Sequence, residues 1–293
     1  MSTTLNKFGF RQLDPIPTDE RLKNFYESEY YHLIKAGGRA SELRKLMEGG
    51  ETTAREIEWL QNTLYTDCVD AIATYADTTN PILDIGCGTG NLVEFLQRAN
   101  LPAQGIEPSE EATSIAISRG LNVRQLNLED LANAPDEQNK YSAATLINVL
   151  EHVPNPAEFL ENTTKILSKN GILIIRVPND FSEIQRIAEL HVQKKEWWVA
   201  SPDHINYFSA TSLTNLLDSL SFEVVDLYVD FPMELFLLFG VNYIDSPSLG
   251  ADAHKMRANF EMRIPKELRR SLYKKFLELN MGRNLFMIAR LKK

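Results

Sequence analysis

Residues 82–90 read Ile-Leu-Asp-Ile-Gly-Cys-Gly-Thr-Gly, and this stretch decides the fold. Apolar residues and Asp84 lead into three glycines at alternate positions, and the helix-compatible run 91–97 follows at once. Pro81 tolerates the first position of a strand, so we expect the strand to begin there. The stretch predicts a strand, a tight glycine turn and a helix N-terminus. In such a turn, free backbone N–H groups and the helix dipole meet the ligand, and glycine leaves room for close approach.

The spacing of these glycines argues against a dinucleotide-binding fingerprint. That fingerprint requires the pattern G-x-G-x-x-G. Gly86 and Gly88 fit its first half, but Asn91 stands where the third glycine is needed, and the pattern present is D-x-G-x-G-x-G. An NAD(P)-dependent oxidoreductase is therefore a disfavoured alternative, and the surrounding chain has to decide the function.

Composition limits the classes of partner and cofactor. The 293 residues are 43% hydrophobic and 24% charged, as in an ordinary globular protein. A net charge of −9 argues against a nucleic-acid partner, which needs a basic face. Cys68 and Cys87 belong to no C-x-x-C pair, so they predict neither a disulfide framework nor a zinc site. The sequence shows no convincing cluster of acidic residues and histidines, and we expect no metal.

The apolar runs are too short to cross a membrane. The first residues lack the apolar core of a signal peptide. The most apolar later run, 231–244, has about 14 residues and carries Glu234, whereas a transmembrane helix needs about 20. We expect no integral membrane segment and a cytoplasmic protein. The 231–244 run fits a lid, a dimer contact or a lipid-facing surface equally well, so a homodimer is one option.

Four regions follow one another along the chain. Residues 1–80 show no α/β repeat and are predicted to form a helical N-terminal extension or cap. In residues 81–230 strands alternate with helices, which predicts a mostly parallel, doubly wound α/β sheet. Residues 231–283 are predicted as a helical insertion, a lid or an interface, and residues 284–293 as the final core strand. The core strands are predicted at 81–85, 103–107, 123–126, 141–147, 171–177 and 222–229.

Polar residues follow several of these strands. Ligands of doubly wound sheets bind in the crevice outside the carboxyl ends of the strands. The glycine turn, Glu107, Asn127 and Asn148 all lie at such ends. We expect them to converge on one ligand.

Together these motifs resemble the class I S-adenosylmethionine-dependent methyltransferases. The resemblance rests on the D-x-G-x-G-x-G turn, Glu107, the segment 127–130 and the run 148–156, and it covers about 81–230 plus the last strand. It is closest to the UbiG-like, methyltransferase type 23-like group, which includes ubiquinone-pathway and sugar O-methyltransferases. The resemblance implies a Rossmann-like sheet of seven strands with the last antiparallel. It also implies S-adenosylmethionine as cofactor and S-adenosylhomocysteine as product.

The resemblance also implies a set of cofactor-binding residues. The glycines would meet the methionine part, and Asp84 would order the turn or act as a structural acid that caps it. Glu107 would accept hydrogen bonds from both ribose hydroxyls. Asn127 stands where the family usually has Asp, so its amide oxygen would contact the adenine. Asn148 would meet the methionine amino group through its backbone carbonyl. The full set is Asp84, Gly86, Cys87, Gly88, Gly90, Glu107, Pro108, Asn127, Leu128 and Asn148.

Two histidines are candidate catalytic residues. By resemblance, His204 faces the acceptor, with a loop-pinning role as the alternative. His152 follows the fourth core strand and would lie near the sulfonium, either as a catalyst or as a structural hydrogen-bonder. Aromatic and polar residues would form the substrate pocket and favour the sulfonium through cation–π contact, although any one aromatic could be core instead. These pocket residues are Tyr26, Tyr30, Tyr31, Trp198, Asn206 and Tyr207.

The predicted function is methyl transfer from S-adenosylmethionine to a small-molecule acceptor. The predicted target is a hydroxyl of a sugar or another polar metabolite. The principal alternative is a non-catalytic module that binds S-adenosylmethionine, S-adenosylhomocysteine or a partner protein.

Overall fold

The computed structural model describes residues 2–25 and 50–292. In these residues the strands form two sheets, one of three strands and one of seven. The strands are β1 (Ser2–Leu5), β2 (Arg11–Asp14), β3 (Ile82–Ile85), β4 (Ala103–Ile106), β5 (Val123–Arg124), β6 (Tyr141–Ile147), β7 (Leu167–Pro178), β8 (Asn206–Tyr207), β9 (Phe222–Val229) and β10 (Asn284–Leu291).

Twelve α-helices in the described residues accompany these strands. They are α1 (Asp19–Asn24), α2 (Gly50–Asn62), α3 (Leu64–Tyr75), α4 (Asn91–Arg98), α5 (Glu110–Ser118), α6 (Leu128–Asn133), α7 (Pro156–Ile166), α8 (Glu183–Val192), α9 (Ala210–Asp218), α10 (Glu234–Leu238), α11 (Pro247–Arg263) and α12 (Lys266–Glu278). Short 3-10 helices at Pro135–Glu137 and Leu150–His152 complete the regular structure.

The large sheet has the strand order β5-β4-β3-β6-β7-β10-β9. Neighbours from β5 to β7 are parallel, and β10 is antiparallel to both β7 and β9. The prediction of a doubly wound sheet with an antiparallel last strand is therefore confirmed. Strand order reverses between β3 and β6, and their carboxyl ends flank the crevice in which ligands of such sheets bind.

The central strands are buried on both faces, as their composition predicts. All four residues of β3 are buried, and so are residues 171–177 of β7. Such continuous apolar runs are typical of parallel strands covered by helices on both sides. The strand ends are consequently held rigidly, and the residues that follow them keep fixed positions.

The expectation that residues 1–80 are helical is incomplete. β1 and β2 form an antiparallel hairpin, and β2 pairs with β8 through Gln12 and Asn206. Four-residue strands carry too little alternation to be recognised, and the pairing with β8 spans most of the chain, so no local pattern could reveal it. The helical part of this region that precedes β3 consists of two helices, α2 and α3, which are separated at Thr63.

The insertion before β10 is helical, as predicted, and consists of α10, α11 and α12. Among the described residues, no helix combines the length and the apolar character needed to cross a membrane. The boundaries of the four predicted regions, the homodimer and the role of the insertion stay predictions.

Candidate active site

The glycine turn that follows β3 adopts left-handed backbone angles, with φ of +71° at Gly86, +53° at Gly88 and +80° at Gly90. A Cβ on Gly86 would lie 2.8 Å from a methyl carbon of Val149, and one on Gly90 would lie 2.7 Å from Leu121. No atom of the residues that the structure describes lies within 4 Å of the corresponding position on Gly88. The outer glycines are therefore required by packing, and Gly88 leaves space in which a ligand can approach the backbone.

Glu107, directly after β4, is tied to this turn. The N–H of Gly88 donates to Oε2 of Glu107 at 3.0 Å, and the N–H of Ser109 donates to Oε1 at 2.9 Å. Each oxygen of an ionised carboxylate has two lone pairs, so each can accept one more hydrogen bond. Among the described residues, each oxygen of Glu107 thus keeps one acceptor position unused, and its contact with the ribose hydroxyls stays a prediction.

Asp84 lies under the turn and links β3 to β6. Its side chain is buried, and the hydroxyl of Thr145 donates to Oδ1 at 2.5 Å. Burial raises the pKa of Asp84 to about 7, with the Thr145 hydrogen bond opposing the rise and the negative charge of Glu107 adding to it. The position fits the predicted role of ordering the turn rather than contact with a ligand.

This raised pKa predicts how Asp84 contributes to stability. The folded protein keeps the Asp84 proton to about pH 7, whereas the unfolded chain loses it near pH 4. The folded state binds the extra proton across that window, so its free energy of unfolding falls by about 1.4 kcal/mol per pH unit as pH rises. Urea denaturation should show the stability of wild type, relative to Asp84→Asn, falling from pH 4 to 7. A flat or rising difference would contradict the raised pKa.

Two further predicted cofactor residues have different surroundings. Cys87 is half-buried, and its Sγ packs so closely on Gly105 that a Cβ there would lie 2.5 Å away. Burial raises the pKa of the Cys87 thiol, which therefore stays protonated. Pro108 is exposed at the end of β4. The side chain of Cys87 thus packs between the turn after β3 and Gly105 of β4. Pro108 lies at the rim of the crevice.

On the side predicted for adenine, Asn127 is the N-cap of α6. Its Oδ1 accepts the N–H of Asp130 at 2.8 Å, and such a cap typically stabilises a helix by about 1 kcal/mol. The side chain of Leu128 is buried in the core. The amide oxygen expected to contact adenine therefore already holds the first turn of α6, and the adenine contact of both residues stays a prediction.

Asn148 follows β6 directly and is clamped by Arg176 of β7. Asn148 adopts a left-handed conformation with φ of +57°, and its backbone N–H donates to the carbonyl of Arg176 at 2.8 Å. The guanidinium of Arg176 in turn donates to Oδ1 of Asn148 at 2.8 Å. Sequence reasoning missed Arg176, although a single charge inside the apolar run 171–177 was a usable signal.

The structure brings the two predicted catalytic histidines together. The rings of His152 and His204 meet edge to face, with centroids 4.8 Å apart. Nδ1 of His152 lies 2.8 Å from the backbone carbonyl of Asp203. A carbonyl only accepts hydrogen bonds, so Nδ1 carries the proton, and in the neutral tautomer the lone pair is on Nε2. His152 therefore has the fixed tautomer that a general base needs.

Glu151 completes a group of three polar side chains. It is buried, and its Oε1 lies 3.9 Å from Nε2 of His152. Burial raises the pKa of Glu151 to about 8. Ligand atoms of Glu151, His152 and His204 lie within 4.8 Å of one another, and a carboxylate with two imidazoles can hold a divalent cation. The absence of a metal stays a prediction. The sequence alone did not indicate this group, because His204 is distant in the sequence from Glu151 and His152.

Asn206 and Tyr207 were predicted to line the substrate pocket, but both are buried. The amide of Asn206 donates to the carbonyls of Leu150 and Val153 at 2.9 and 2.7 Å and accepts from Gln12 at 2.9 Å. The hydroxyl of Tyr207 donates to the carbonyl of His204 at 2.7 Å. The Asn206 contacts hold the two histidine-bearing segments together, and the Tyr207 contact braces the His204 segment itself. Direct contact with an acceptor stays a prediction for both residues.

The remaining predicted pocket residues are aromatic. Trp198 is buried and meets Phe181 edge to face, with ring centroids 5.4 Å apart. Its indole N–H is buried and has no hydrogen-bond partner among the described residues, which is uncommon in folded proteins. Tyr26, Tyr30 and Tyr31 lie outside the described residues. Trp198 is thus a predicted pocket residue whose indole N–H could donate a hydrogen bond to a ligand.

Comparison with known proteins identifies the family. Residues 57–227, more than half of the chain, match the family described as "Methyltransferase domain". The chain belongs to this family. Two curated relatives are ubiquinone biosynthesis O-methyltransferases. The one from Marinobacter nauticus is 32% identical over 103 residues, covering 33% of this chain and 43% of the relative. The one from Actinobacillus pleuropneumoniae is 33% identical over 106 residues, covering 33% and 45%.

The matched part of the chain spans less than half the length of these relatives. Solved structures share the fold at low identity. A SAM dependent methyltransferase from Archaeoglobus fulgidus has a TM-score of 0.54 at 17% identity, covering 90% of this chain and all of that one. The [4+2]-cyclase SpnF has a TM-score of 0.53 at 18% identity, covering 94% and 97%. The prediction of a Rossmann-like, S-adenosylmethionine-dependent methyltransferase is confirmed at the level of family, fold and cofactor.

The geometry of the turn fits this cofactor. In the described part of the chain, no atom crowds the Cβ position of Gly88 and Glu107 keeps two acceptor positions unused, and Gly90 is the N-cap of α4. A bulkier residue at 88 or a lost carboxylate at 107 would each remove one of these features. The residues present can therefore hold a nucleoside joined to a charged amino-acid group.

Replacing Glu107 with alanine should weaken S-adenosylhomocysteine binding by about ten- to a hundredfold, because the ribose acceptors and the hydrogen bonds from Gly88 and Ser109 are lost together. Isothermal titration calorimetry measures the dissociation constant. Glu110→Ala, an exposed acid in the first turn of α5, is the matched control and should leave binding unchanged. Equal affinities for wild type and Glu107→Ala would remove Glu107 from the site.

Proposed function

We propose that this chain transfers the methyl group of S-adenosylmethionine to a hydroxyl of a small polar molecule, such as a sugar or another hydroxylated metabolite. The observation that carries the proposal is the paired arrangement of His152 and His204 near the crevice, with the tautomer of His152 set by the carbonyl of Asp203. The two curated relatives are named as O-methyltransferases, which also supports a hydroxyl acceptor.

Bound S-adenosylmethionine supplies an activated methyl group, so the protein's main task is alignment. Rigid strand ends hold the glycine turn, Glu107 and Asn148 in fixed relative positions. Orientation of reactants can contribute about 7–11 kcal/mol toward lowering a barrier. The residues around β3, β4 and β6 thus position the donor.

A hydroxyl acceptor must also lose its proton, which requires a base. Nε2 of His152 has the lone pair for that step, and Nδ1–H remains hydrogen-bonded to the carbonyl of Asp203 while the ring is charged. His204 lies against the same ring and closes one side of it. Asn206 joins the two histidine segments through the carbonyls of Leu150 and Val153, and Tyr207 braces the backbone of the His204 segment itself.

An acceptor panel tests the proposed reaction. Hydroxylated and amine-bearing acceptors of similar size are incubated with S-adenosylmethionine carrying a deuterated methyl group, and products are identified by mass spectrometry. We expect the label on oxygen. Label only on nitrogen would contradict the hydroxyl acceptor. Tight binding of S-adenosylhomocysteine without transfer to any acceptor would favour a non-catalytic binding module, and binding of NADH instead would favour an oxidoreductase.

A further inference from the structure

Asn148 has an unusual backbone conformation at a position that faces the cofactor turn. Non-glycine residues rarely adopt positive φ, and asparagine tolerates it better than most. Val149, the next residue, lies where a Cβ on Gly86 would collide with it. The conformation of Asn148 therefore determines the direction of its own carbonyl and the packing of Val149 against the glycine turn. Two hydrogen bonds hold this conformation: the backbone N–H of Asn148 donates to the carbonyl of Arg176, and Oδ1 of Asn148 accepts from the guanidinium of Arg176.

Arg176 is itself held from the opposite side. It is buried, and Nη2 lies 3.4 Å from Oδ2 of Asp230, the residue that follows β9. Arg257 of α11 donates to the same oxygen at 2.8 Å, and Asn284 of β10 donates to it at 2.6 Å. Although burial opposes ionisation, Arg257 and Arg176 lower the pKa of Asp230, so the carboxylate stays charged at neutral pH.

Arg257 connects this carboxylate to the helical insertion. It is buried in α11, its Nε donates to Glu261 at 3.3 Å, and its guanidinium lies over the ring of Trp59 at 5.1 Å. A continuous set of charge-assisted hydrogen bonds thus runs from α11 through Asp230 and Arg176 to Asn148. Such bonds are about twice as strong as neutral ones and have well-defined geometry.

We propose that Arg176 is a positioning residue for the methyl donor, and that the helical insertion acts on the cofactor turn through Arg257, Asp230 and Arg176. Arg176 holds Asn148 in its left-handed conformation, and Asp230 holds the guanidinium of Arg176 in the orientation that reaches Asn148. The insertion thereby contributes to the geometry of the cofactor site through these hydrogen bonds. This inference rests on the cofactor site at the glycine turn.

Calorimetric titration of the full chain with S-adenosylhomocysteine tests the proposal. Arg176→Gln should raise the dissociation constant about tenfold, as expected for loss of a charge-assisted hydrogen bond. Arg257→Gln should raise it about threefold. Because Arg257 acts through Arg176, the double variant should bind no more weakly than Arg176→Gln alone, whereas independent sites would add. Strictly additive effects, or wild-type affinity in Arg176→Gln, would overturn the proposal.

Arg269→Gln is the matched control for removal of a buried arginine. Arg269 donates to Asp67 at 2.7 Å, and Asp67 keeps a second partner in Arg270. This variant should lose stability and keep wild-type affinity. Equal losses of affinity in Arg269→Gln and Arg176→Gln would show a purely structural effect and overturn the proposal.

A second pair of variants does not depend on replacing a buried charge. Asn148→Asp keeps an acceptor for Arg176 and tolerates the left-handed conformation, so it should bind S-adenosylhomocysteine more tightly than Asn148→Ala does. Asn148→Ala lacks the acceptor and should bind about tenfold more weakly. Equal affinities in these two variants would overturn the proposal. Absence of binding by wild type would instead contradict the cofactor site itself.

Discussion

Replacing Gly86 with arginine is expected to abolish binding of S-adenosylhomocysteine. The new Cβ would lie 2.8 Å from Val149 in a position with φ of +71°, so the turn or the segment after β6 must move. The long side chain would also fill the space beside Gly88. Crowding of this kind typically destabilises the folded structure by about 1–3 kcal/mol. Because the side chain also blocks ligand access to the turn, binding should weaken by at least about a hundredfold. Calorimetry of the folded variant measures the loss.

Gly120→Arg separates the effect on the site from backbone strain. Gly120 also has a left-handed φ, of +75°, and no atom lies within 4 Å of its Cβ position. Strain from a side chain in this conformation should be similar in both variants. We expect Gly120→Arg to bind normally. Normal binding by Gly86→Arg, or equal losses in both, would refute the assignment of the turn as the cofactor site.

Replacing either His152 or His204 with alanine is expected to abolish most of the turnover while cofactor affinity stays within about threefold of wild type. His152 provides the fixed lone pair, and His204 holds the ring from the side. Loss of a general base typically lowers kcat by about 10²- to 10⁴-fold. Residues that act as a unit are not additive, so the double variant should be no slower than the slower single variant. Steady-state kinetics with an acceptor identified from the panel measures kcat.

His191→Ala is the matched control, since His191 is exposed near the end of α8 and belongs to neither segment. It should retain wild-type kcat. A kcat within about twofold of wild type in His152→Ala would remove His152 as the base, and the same result in His204→Ala would limit that residue to holding the loop.

The parts of the fold predicted from the sequence are those with strong local patterns. The glycine turn, the buried run 171–177 and the strand at 141–147 each carry a periodic or compositional signal within a few residues. Their order along the chain then indicates the topology, because alternating strands and helices allow few parallel arrangements. The antiparallel last strand came from the family resemblance instead.

Long-range pairings account for what the sequence could not predict. β2 meets β8 across most of the chain, and this pairing is what buries Asn206 and Tyr207. The sequence did not indicate that Asn206 and Tyr207 donate hydrogen bonds to backbone carbonyls, and their contact with an acceptor stays a prediction. The proximity of His152 to His204 depends on the same contacts, so the sequence indicated each histidine separately but not the pair.

A crystal structure of the chain with S-adenosylhomocysteine tests the central claim most directly. We expect the methionine part at the glycine turn, the ribose hydroxyls on Glu107, and the sulfur on the side that faces the His152–His204 pair. A ligand bound elsewhere, or a sulfur turned away from both histidines, would contradict it.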